Sequence, residues 1–168
     1  MKRIIFILFR FLAIACKVIS ENMYMKIFIR AYKIIGIKFI GNPEYIDYHS
    51  HLDPSGELIL GRGVVISTNV IILTHDWSFL KKIKVGAGEF SENMSENAYN
   101  SVSIGEDSFI GAGCIILPGS KIGKFCIVGA GAVVKGDFED YSVIVGSPAR
   151  KIKDIRDQYC VKVIFNRL

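Results

Sequence analysis

The residue best suited to acid–base chemistry in this sequence is His75, one of three histidines in a chain of 168 residues. A neutral imidazole ionises close to physiological pH, so it can take the proton of a hydroxyl group that attacks an electrophile. His75 follows Thr74 and the apolar run Ile71–Leu73, and it precedes residues 76–101, which lack any periodicity. A reactive side chain at the root of a long loop is typical of an active site. We therefore take His75 as the candidate reactive residue of an active site.

On both sides of that loop an aliphatic residue recurs at every sixth position. After the loop the series is Ile104, Ile110, Ile116, Ile122, Val128 and Val134, and most of these follow a small residue by two positions: Ser108, Cys114, Ser120, Cys126 and Ala132. Before the loop the same step gives Ile34, Ile40, Ile46, Leu52, Leu58, Val64 and Val70. A period of six fits a short strand followed by a tight corner, three to a coil. The sequence therefore predicts an all-β solenoid over residues 34–152.

Stacked coils bring together residues that are one coil apart in the chain. With three six-residue repeats per coil, Glu57 is predicted to lie beside His75, since neighbouring strands are about 4.8 Å apart. A carboxylate at that position would orient the imidazole and stabilise its protonated form. The other candidates for contact with an acceptor substrate share outward or corner positions: Tyr48, His49, His51 and Asp53.

The string Ile72–Asp76, the later Val102–Gly105 and the ending Val143–Ile152 resemble the hexapeptide-repeat acyltransferases, and in particular the sugar and polysaccharide O-acetyltransferases. The resemblance implies a left-handed parallel β-helix of hexapeptide repeats, with an N-terminal helix and a long loop inserted after His75. It also implies acetyl-CoA-dependent transfer of an acetyl group to a sugar hydroxyl, in a surface polysaccharide or its precursor. In that family the matching histidine is the general base.

The resemblance further implies that acetyl-CoA lies between adjacent subunits of a homotrimer. The small residues that match contacts to the pantetheine arm are Ala112, Gly113, Ala130 and Gly131. Other residues match the contacts to the nucleotide end of acetyl-CoA, where positive charge pairs with the phosphates: Lys135, Ser147, Pro148, Arg150 and Lys151. Acceptor contacts are expected from Asp53, Trp77 and Phe109, the last of which stands where many relatives carry tryptophan. No metal cofactor is expected.

Residues 1–33 are predicted to form an amphipathic helical segment that precedes the solenoid. Arg3, Arg10 and Lys17 are spaced by seven and share one helix face, and their charges make the apolar run unsuited to a membrane span or a signal sequence. Two interpretations stay open for residues 1–20: peripheral contact with a membrane surface, or packing against protein. Residues 153–168 are expected to form a C-terminal tail or helix without chemistry.

Composition narrows the functional classes. The net charge of +5 suits a polyanionic small molecule or an anionic membrane, and no nucleic-acid-binding motif accompanies it. None of the four cysteines forms a CxxC pair, so no zinc knuckle is implied. We expect reduced thiols in a cytoplasmic protein, placed at the inner face of the membrane if residues 1–20 bind there.

Three alternatives stay open. Acetyl transfer to an amino-sugar nitrogen or to serine would use a similar groove and base. A zinc-dependent hydratase on a related β-helix needs three converging histidines, and the spacing of His49, His51 and His75 does not match that class. A non-catalytic β-helical scaffold would bind acetyl-CoA without turnover.

Overall fold

The chain folds into a helical hairpin followed by a parallel β-helix. The computed structural model describes residues 1–78 and 99–157. Helix α1 spans Lys2–Lys17 and helix α2 spans Glu21–Ile35. The described part of the β-helix consists of the short strands β1 Lys38–Ile40, β2 Tyr45–Ile46, β3 His51–Leu52, β4 Leu58–Gly61, β5 Val65–Ile66, β6 Ile71–Ile72, β7 Val102–Ile104, β8 Phe109–Ile110, β9 Ile115–Ile116, β10 Lys121–Ile122, β11 Ile127–Val128, β12 Val133–Val134, β13 Asp137–Phe138, β14 Ser142–Gly146 and β15 Ala149–Asp154.

The strands form three sheets around a common interior. The first sheet has the order β1-β4-β7-β10-β13, and the third has the order β12-β9-β6-β3. The second sheet runs β15-β14-β11-β8-β5-β2, with β15 as its antiparallel edge strand. Every third strand along the chain thus joins the same sheet, as a coil of three strands requires. The predicted β-solenoid of hexapeptide repeats is confirmed.

Aliphatic side chains stack in columns inside the coils. The strand registers align one column from each sheet: Leu60, Ile104 and Ile122; Ile66, Ile110, Val128 and Ile144; and Ile72, Ile116 and Val134. All of these residues are buried, as are the small residues two positions before them, which include the free thiols of Cys114 and Cys126. Each buried aliphatic side chain contributes about 1.5–3 kcal/mol. The aliphatic and small positions predicted after the loop are both confirmed.

The first coil is longer than the predicted repeat. Ile46 pairs with Ile66 and Leu52 with Ile72, so these partners are 20 positions apart in the chain (46 to 66) and not 18. The two additional residues lie in the corner between β3 and β4, residues 53–57. From this corner to the loop, each residue of the predicted aliphatic series lies two positions before the residue that occupies the aliphatic column. Its members Leu58, Val64 and Val70 are buried, but they occupy the columns of the small residues.

The start of the predicted series is also wrong. Ile34 lies in α2, and Ile40 on β1 is 62% exposed, whereas Ile37 is buried. Helix α2 ends at Gly36, whose φ of 108° is the left-handed conformation that commonly terminates a helix. The first strand therefore begins at Lys38 and not at residue 34.

Helix α2 packs an aromatic face on the first coil. Tyr24, Phe28 and Tyr32 are fully or almost fully buried, and the Tyr24 hydroxyl donates a hydrogen bond to the carbonyl of Ile46 at 2.5 Å. The helix begins after Ser20, whose side chain accepts a hydrogen bond from the amide of Met23. Burial raises the pKa of Tyr32 to about 12, so this ring stays neutral. The aromatic contacts hold the hairpin against the β-helix.

Helix α1 turns part of its basic face toward the protein. The Arg10 guanidinium donates to the carbonyl of Tyr48 at 2.5 Å, and the Lys17 ammonium donates to the Tyr45 hydroxyl at 2.7 Å. The hydrogen bond to Tyr45 raises the pKa of Lys17. Of the two interpretations of residues 1–20, packing against protein therefore describes this face. The opposite face is apolar and exposed. No helix in the described ranges is long and apolar enough to cross a membrane.

The last coil ends in a β-hairpin. Strand β14 turns at Ser147 and Pro148 and returns as β15, which continues to Asp154. The ordered strand therefore extends two residues past the predicted limit at residue 152. The remainder of the predicted tail, residues 158–168, lies outside the described residues.

Candidate active site

His75 and Asp53 form a hydrogen-bonded pair where the chain leaves two neighbouring strands. The distance between His75 Nδ1 and Asp53 Oδ2 is 2.5 Å. Asp53 directly follows β3, and β3 pairs in parallel with β6, the strand that leads to His75. Asp53 is 3% exposed, whereas His75 remains partly accessible. A buried carboxylate thus orients an accessible imidazole.

Several donors keep Asp53 ionised. Its Oδ2 accepts hydrogen bonds from the amide of Thr74 at 2.9 Å and from the Thr74 hydroxyl at 2.8 Å. Its Oδ1 accepts one from the amide of Ser55 at 2.9 Å. Burial alone would raise the pKa of Asp53, but the hydrogen bonds from Ser55 and Thr74 outweigh burial and hold that pKa well below its usual range. Asp53 therefore carries its negative charge at neutral pH.

The charge of Asp53 decides which nitrogen of His75 can act as a base. An ionised carboxylate only accepts hydrogen bonds, so Nδ1 carries the proton and donates it to Asp53. In the neutral ring, Nε2 is then the nitrogen with a free lone pair. The carboxylate also stabilises the imidazolium that forms when Nε2 takes a proton. The pair is therefore suited to general-base catalysis.

The predicted contact between Glu57 and His75 is wrong. The carboxylate of Glu57 accepts a hydrogen bond from Lys38 at 2.5 Å, and both side chains are well exposed. The prediction assumed an 18-residue coil, but the corner at residues 53–57 lengthens this coil by two residues. The carboxylate that reaches the imidazole is therefore Asp53, which the sequence suggested as an acceptor contact and not as the partner of His75.

Two aromatic side chains stand beside the imidazole. The rings of His75 and Trp77 meet edge to face, with their centres 6.2 Å apart. Tyr99 contacts Trp77 in the same manner at 5.9 Å, and its backbone forms an antiparallel bridge with His75. Trp77 is thus placed next to the candidate base, as an acceptor-pocket residue must be. Sequence reasoning missed Tyr99 because it lies in the aperiodic loop, of which residues 79–98 are outside the described residues.

The remaining acceptor candidates are dispersed. His49 pairs with its own carboxylate, Asp47, at 3.1 Å, and its ring packs against Tyr48. His51 is exposed on β3. Phe109 is exposed on β8, between Val65 and Ile127 of the neighbouring strands. None of these side chains is hydrogen-bonded to Asp53 or His75 within the part of the chain that the structure describes.

The small residues expected at the pantetheine arm form a column at one corner of the β-helix. The amide of Gly131 donates to the carbonyl of Ala112, so Gly131 lies one coil beyond Gly113. Both glycines have φ close to 70°, and a β-carbon added to either would meet no atom within 4 Å. Ala130 and Gly131 are exposed. This open strip of backbone has room for an extended, narrow ligand such as a pantetheine arm.

The residues expected at the nucleotide end lie in the last coils. Lys135 donates a hydrogen bond to the carbonyl of Pro118. Ser147 and Pro148 form the exposed turn between β14 and β15, and Arg150 is exposed on β15. Lys151 makes an exposed ion pair with Glu139 at 3.4 Å. These cations are accessible from solvent, so their side chains are free to turn toward a phosphate.

No cluster of three or more residues able to hold a metal ion occurs in residues 1–78 and 99–157. The imidazole of His75 and that of His49 are each hydrogen-bonded to a separate aspartate, Asp53 and Asp47.

Comparisons with known proteins support the fold of hexapeptide repeats. Residues 101–136 match the family model described as bacterial transferase hexapeptide, six repeats. A putative lipopolysaccharide biosynthesis O-acetyl transferase of Escherichia coli, WbbJ, is 29% identical over 70% of this chain and 61% of its own. The galactoside O-acetyltransferase of Lactococcus lactis is 30% identical over 68% of this chain and 53% of its own. This chain therefore carries the hexapeptide repeat of the bacterial transferases and is similar in sequence to O-acetyltransferases.

The hexapeptide-repeat chain spans between half and two thirds of the length of these two relatives. Among solved structures, a galactoside acetyltransferase in complex with coenzyme A superposes with a TM-score of 0.52. That match covers 83% of this chain and 74% of the other, at 22% identity, and it supports the fold.

Proposed function

We propose that this chain transfers the acetyl group of acetyl-CoA to a hydroxyl of a sugar, in a surface polysaccharide or its precursor. The observation that carries the proposal is the pair of Asp53 and His75. This pair places an oriented, partly accessible imidazole beside the aromatic rings of Trp77 and Tyr99. The choice of a sugar hydroxyl is supported by the relatives of this chain, which are named as O-acetyltransferases of lipopolysaccharide and galactosides.

In the proposed reaction, His75 acts through Nε2. It accepts the proton of the acceptor hydroxyl as that oxygen attacks the thioester carbonyl of acetyl-CoA. The new bond is the acetyl ester C–O bond, and the bond that breaks is the thioester C–S bond. The proton held on His75 then passes to the departing thiolate, which leaves as coenzyme A. Asp53 stabilises the imidazolium between these two proton transfers.

Acetyl-CoA would be held along the glycine corner. The exposed backbone at Ala112, Gly113, Ala130 and Gly131 suits the pantetheine arm, since no side chain fills the space above the two glycines. Lys135, Ser147, Pro148, Arg150 and Lys151 would face the nucleotide, where the cations pair with phosphates. Holding thioester and hydroxyl side by side replaces an encounter of three molecules with a reaction within one complex.

We further propose that the active assembly is a homotrimer. A single β-helix leaves the glycine corner open to solvent on one side, and a neighbouring subunit would convert this corner into a groove. Light scattering of the purified protein gives the molar mass directly. A mass of three chains agrees with the proposal, and a monomer with full activity contradicts it.

The decisive test is release of free thiol from acetyl-CoA in the presence of a panel of hydroxyl acceptors, including galactosides and maltose. We expect turnover with at least one sugar, loss of turnover in His75→Ala, and a product that gains one acetyl group. His49→Ala is the matched control, because His49 also pairs with an aspartate but packs its ring on Tyr48, whereas the ring of His75 contacts Trp77. Equal activity of wild type and His75→Ala would refute the proposed role of His75.

The chemistry of the product separates this proposal from its nearest alternative. Once residual acetyl-CoA has been removed, an O-acetyl ester is cleaved by hydroxylamine at alkaline pH, whereas an N-acetyl amide is not. Turnover with amino sugars alone, giving hydroxylamine-resistant product, would assign the chain to N-acetyl transfer.

A further inference from the structure

We propose that helix α1 docks this protein on the surface of an anionic lipid bilayer. The proposal goes beyond acetyl transfer and does not depend on it. The contact surface is the outward face of α1, which consists of Ile4, Ile7, Leu8, Phe11, Leu12 and Val18, the last at the end of the helix.

The outward face of α1 is apolar, and no side chain within residues 1–78 and 99–157 covers it. Each of its six side chains is at least half exposed, with Phe11 at 70% and Val18 at 91%. The spacing of these residues by three or four places them on one side of the helix. Single exposed apolar residues are ordinary, but a contiguous apolar patch of more than a few hundred Å² marks an interaction site.

The fold keeps cations off the centre of this face. Arg10 and Lys17, the basic residues of the helix beyond its first turn, are directed inward by their hydrogen bonds to Tyr48 and Tyr45. A typical amphipathic surface helix shows the opposite arrangement, in which the charged residues face water and the apolar residues pack against the protein core. Because these two cations point inward, the solvent-facing side of α1 can enter the acyl-chain region of a bilayer.

Charge at the start of the helix favours lipid over protein as the occupant. Lys2 and Arg3 are exposed next to the outward face, and residues 1–20 contain no acidic residue. Anionic headgroups attract these cations, and each basic residue near the surface strengthens binding by about 1 kcal/mol, or about fivefold in affinity. A second copy of this chain that packed the same face here would bring its own Lys2 and Arg3 to the contact, where like charges repel.

The length of the helix sets the mode of contact. Sixteen residues of helix extend for about 24 Å, and α1 is not long and apolar enough to cross a bilayer. The helix would therefore lie in the plane of the interface, with its outward face among the acyl chains and Lys2 and Arg3 at the headgroups.

The test is sedimentation of the full chain with vesicles of phosphatidylcholine and phosphatidylglycerol, without acetyl-CoA, in comparison with vesicles of phosphatidylcholine alone. We expect binding to the anionic vesicles that falls at least tenfold in the double variant Leu8→Glu/Phe11→Glu. The matched control is Ile40→Glu, since Ile40 is 62% exposed and Leu8 is 63% exposed, but Ile40 lies on β1. Replacing Lys2 and Arg3 by glutamine should weaken binding by about fivefold per charge and remove the preference for anionic lipid.

Three results would overturn the proposal. The first is absence of wild-type binding to anionic vesicles, and the second is equal binding by Leu8→Glu/Phe11→Glu. The third is a fall in the molar mass of that variant by light scattering together with its loss of vesicle binding, which would assign the outward face of α1 to a second copy. Circular dichroism of each variant confirms that it is folded.

Discussion

Replacing Asp53 with asparagine tests the role of charge in the Asp53–His75 pair, because asparagine has nearly the same shape as aspartate but is neutral. The asparagine amide can be placed in two ways, and the neighbouring donors choose between them. The backbone amide of Thr74 faces Oδ2. The Thr74 hydroxyl accepts from Gly56 and therefore donates to the same Oδ2. Oδ1 accepts from the amide of Ser55, and the Ser55 hydroxyl, which can also act as an acceptor, hydrogen-bonds the same carboxylate. We therefore expect the asparagine oxygen at the Oδ2 position.

With its oxygen at that position, asparagine still accepts from Nδ1 of His75, so the tautomer of the ring is preserved. What is lost is the charge. A hydrogen bond to a charged group contributes about 1.5–3 kcal/mol and a neutral one about 0.5–1.5 kcal/mol, so the difference is about 1–2 kcal/mol. If this difference appears in the transition state, kcat falls by about 5- to 30-fold. KM for acetyl-CoA should stay unchanged, because Asp53 is not part of the glycine corner.

The assay is thiol release with saturating acetyl-CoA and the best acceptor of the panel. Glu57→Gln is the matched control, because it makes the same carboxylate-to-amide change at an exposed, lysine-paired acid. Its kcat should lie within about twofold of wild type, since exposed ion pairs contribute little. The reasoning is refuted if Asp53→Asn keeps full kcat, or if Glu57→Gln loses as much as Asp53→Asn does.

Three further predictions concern stability, and urea unfolding measures each of them. Gly111→Ala should destabilise the fold more than Gly113→Ala. A β-carbon at Gly111 would lie 2.6 Å from the amide nitrogen of Ala130, whereas a β-carbon at Gly113 has no atom within 4 Å and costs only about 1–3 kcal/mol of backbone strain. Equal losses of stability would contradict this prediction. Ile116→Ala should cost about 2–5 kcal/mol, because Ile116 is fully buried in its column; a loss below 1 kcal/mol would argue against a tightly packed interior. The lowered pKa of Asp53 stabilises the fold fully above the usual carboxyl value of about 3.9, and this contribution is lost gradually as pH falls from there toward the lower pKa of the folded state. The stability gap between wild type and Asp53→Asn should therefore be constant near neutral pH and begin to narrow as pH falls to 3. A gap that stays constant down to pH 3 would show that the charge of Asp53 does not stabilise the fold.

The period of six predicted the coils, but it did not fix the phase of the first ones. Residues two apart on a strand point to the same side, so Leu58 and Leu60, or Val64 and Ile66, are both buried. An aliphatic series can therefore shift by two positions without any visible break in the sequence. The shift occurred at the corner before β4, and it led the prediction to Glu57 where the structure places Asp53 beside His75. The outward position of His75 was unaffected, because it depends only on the adjacent strand β6.

The orientation of α1 was beyond the sequence for a related reason. The spacing of Arg10 and Lys17 shows that they share a helix face, but it does not say whether that face meets water. The answer depends on the carbonyl of Tyr48 and the hydroxyl of Tyr45, which only the folded first coil brings within reach. The C-terminal hairpin is a similar case, since its pairing of β14 with β15 departs from the parallel repeat.

The longer corner at residues 53–57 shows how a β-helix can tune chemistry separately from stability. The strands on either side of the corner keep their pairing with the next coil, so the two added residues do not change the packing of the interior. They do change the outer surface, because they alter which side chain of one coil contacts the next coil. Insertions and deletions at such corners therefore offer a route by which one scaffold exchanges the partner of its base while leaving its packed interior intact.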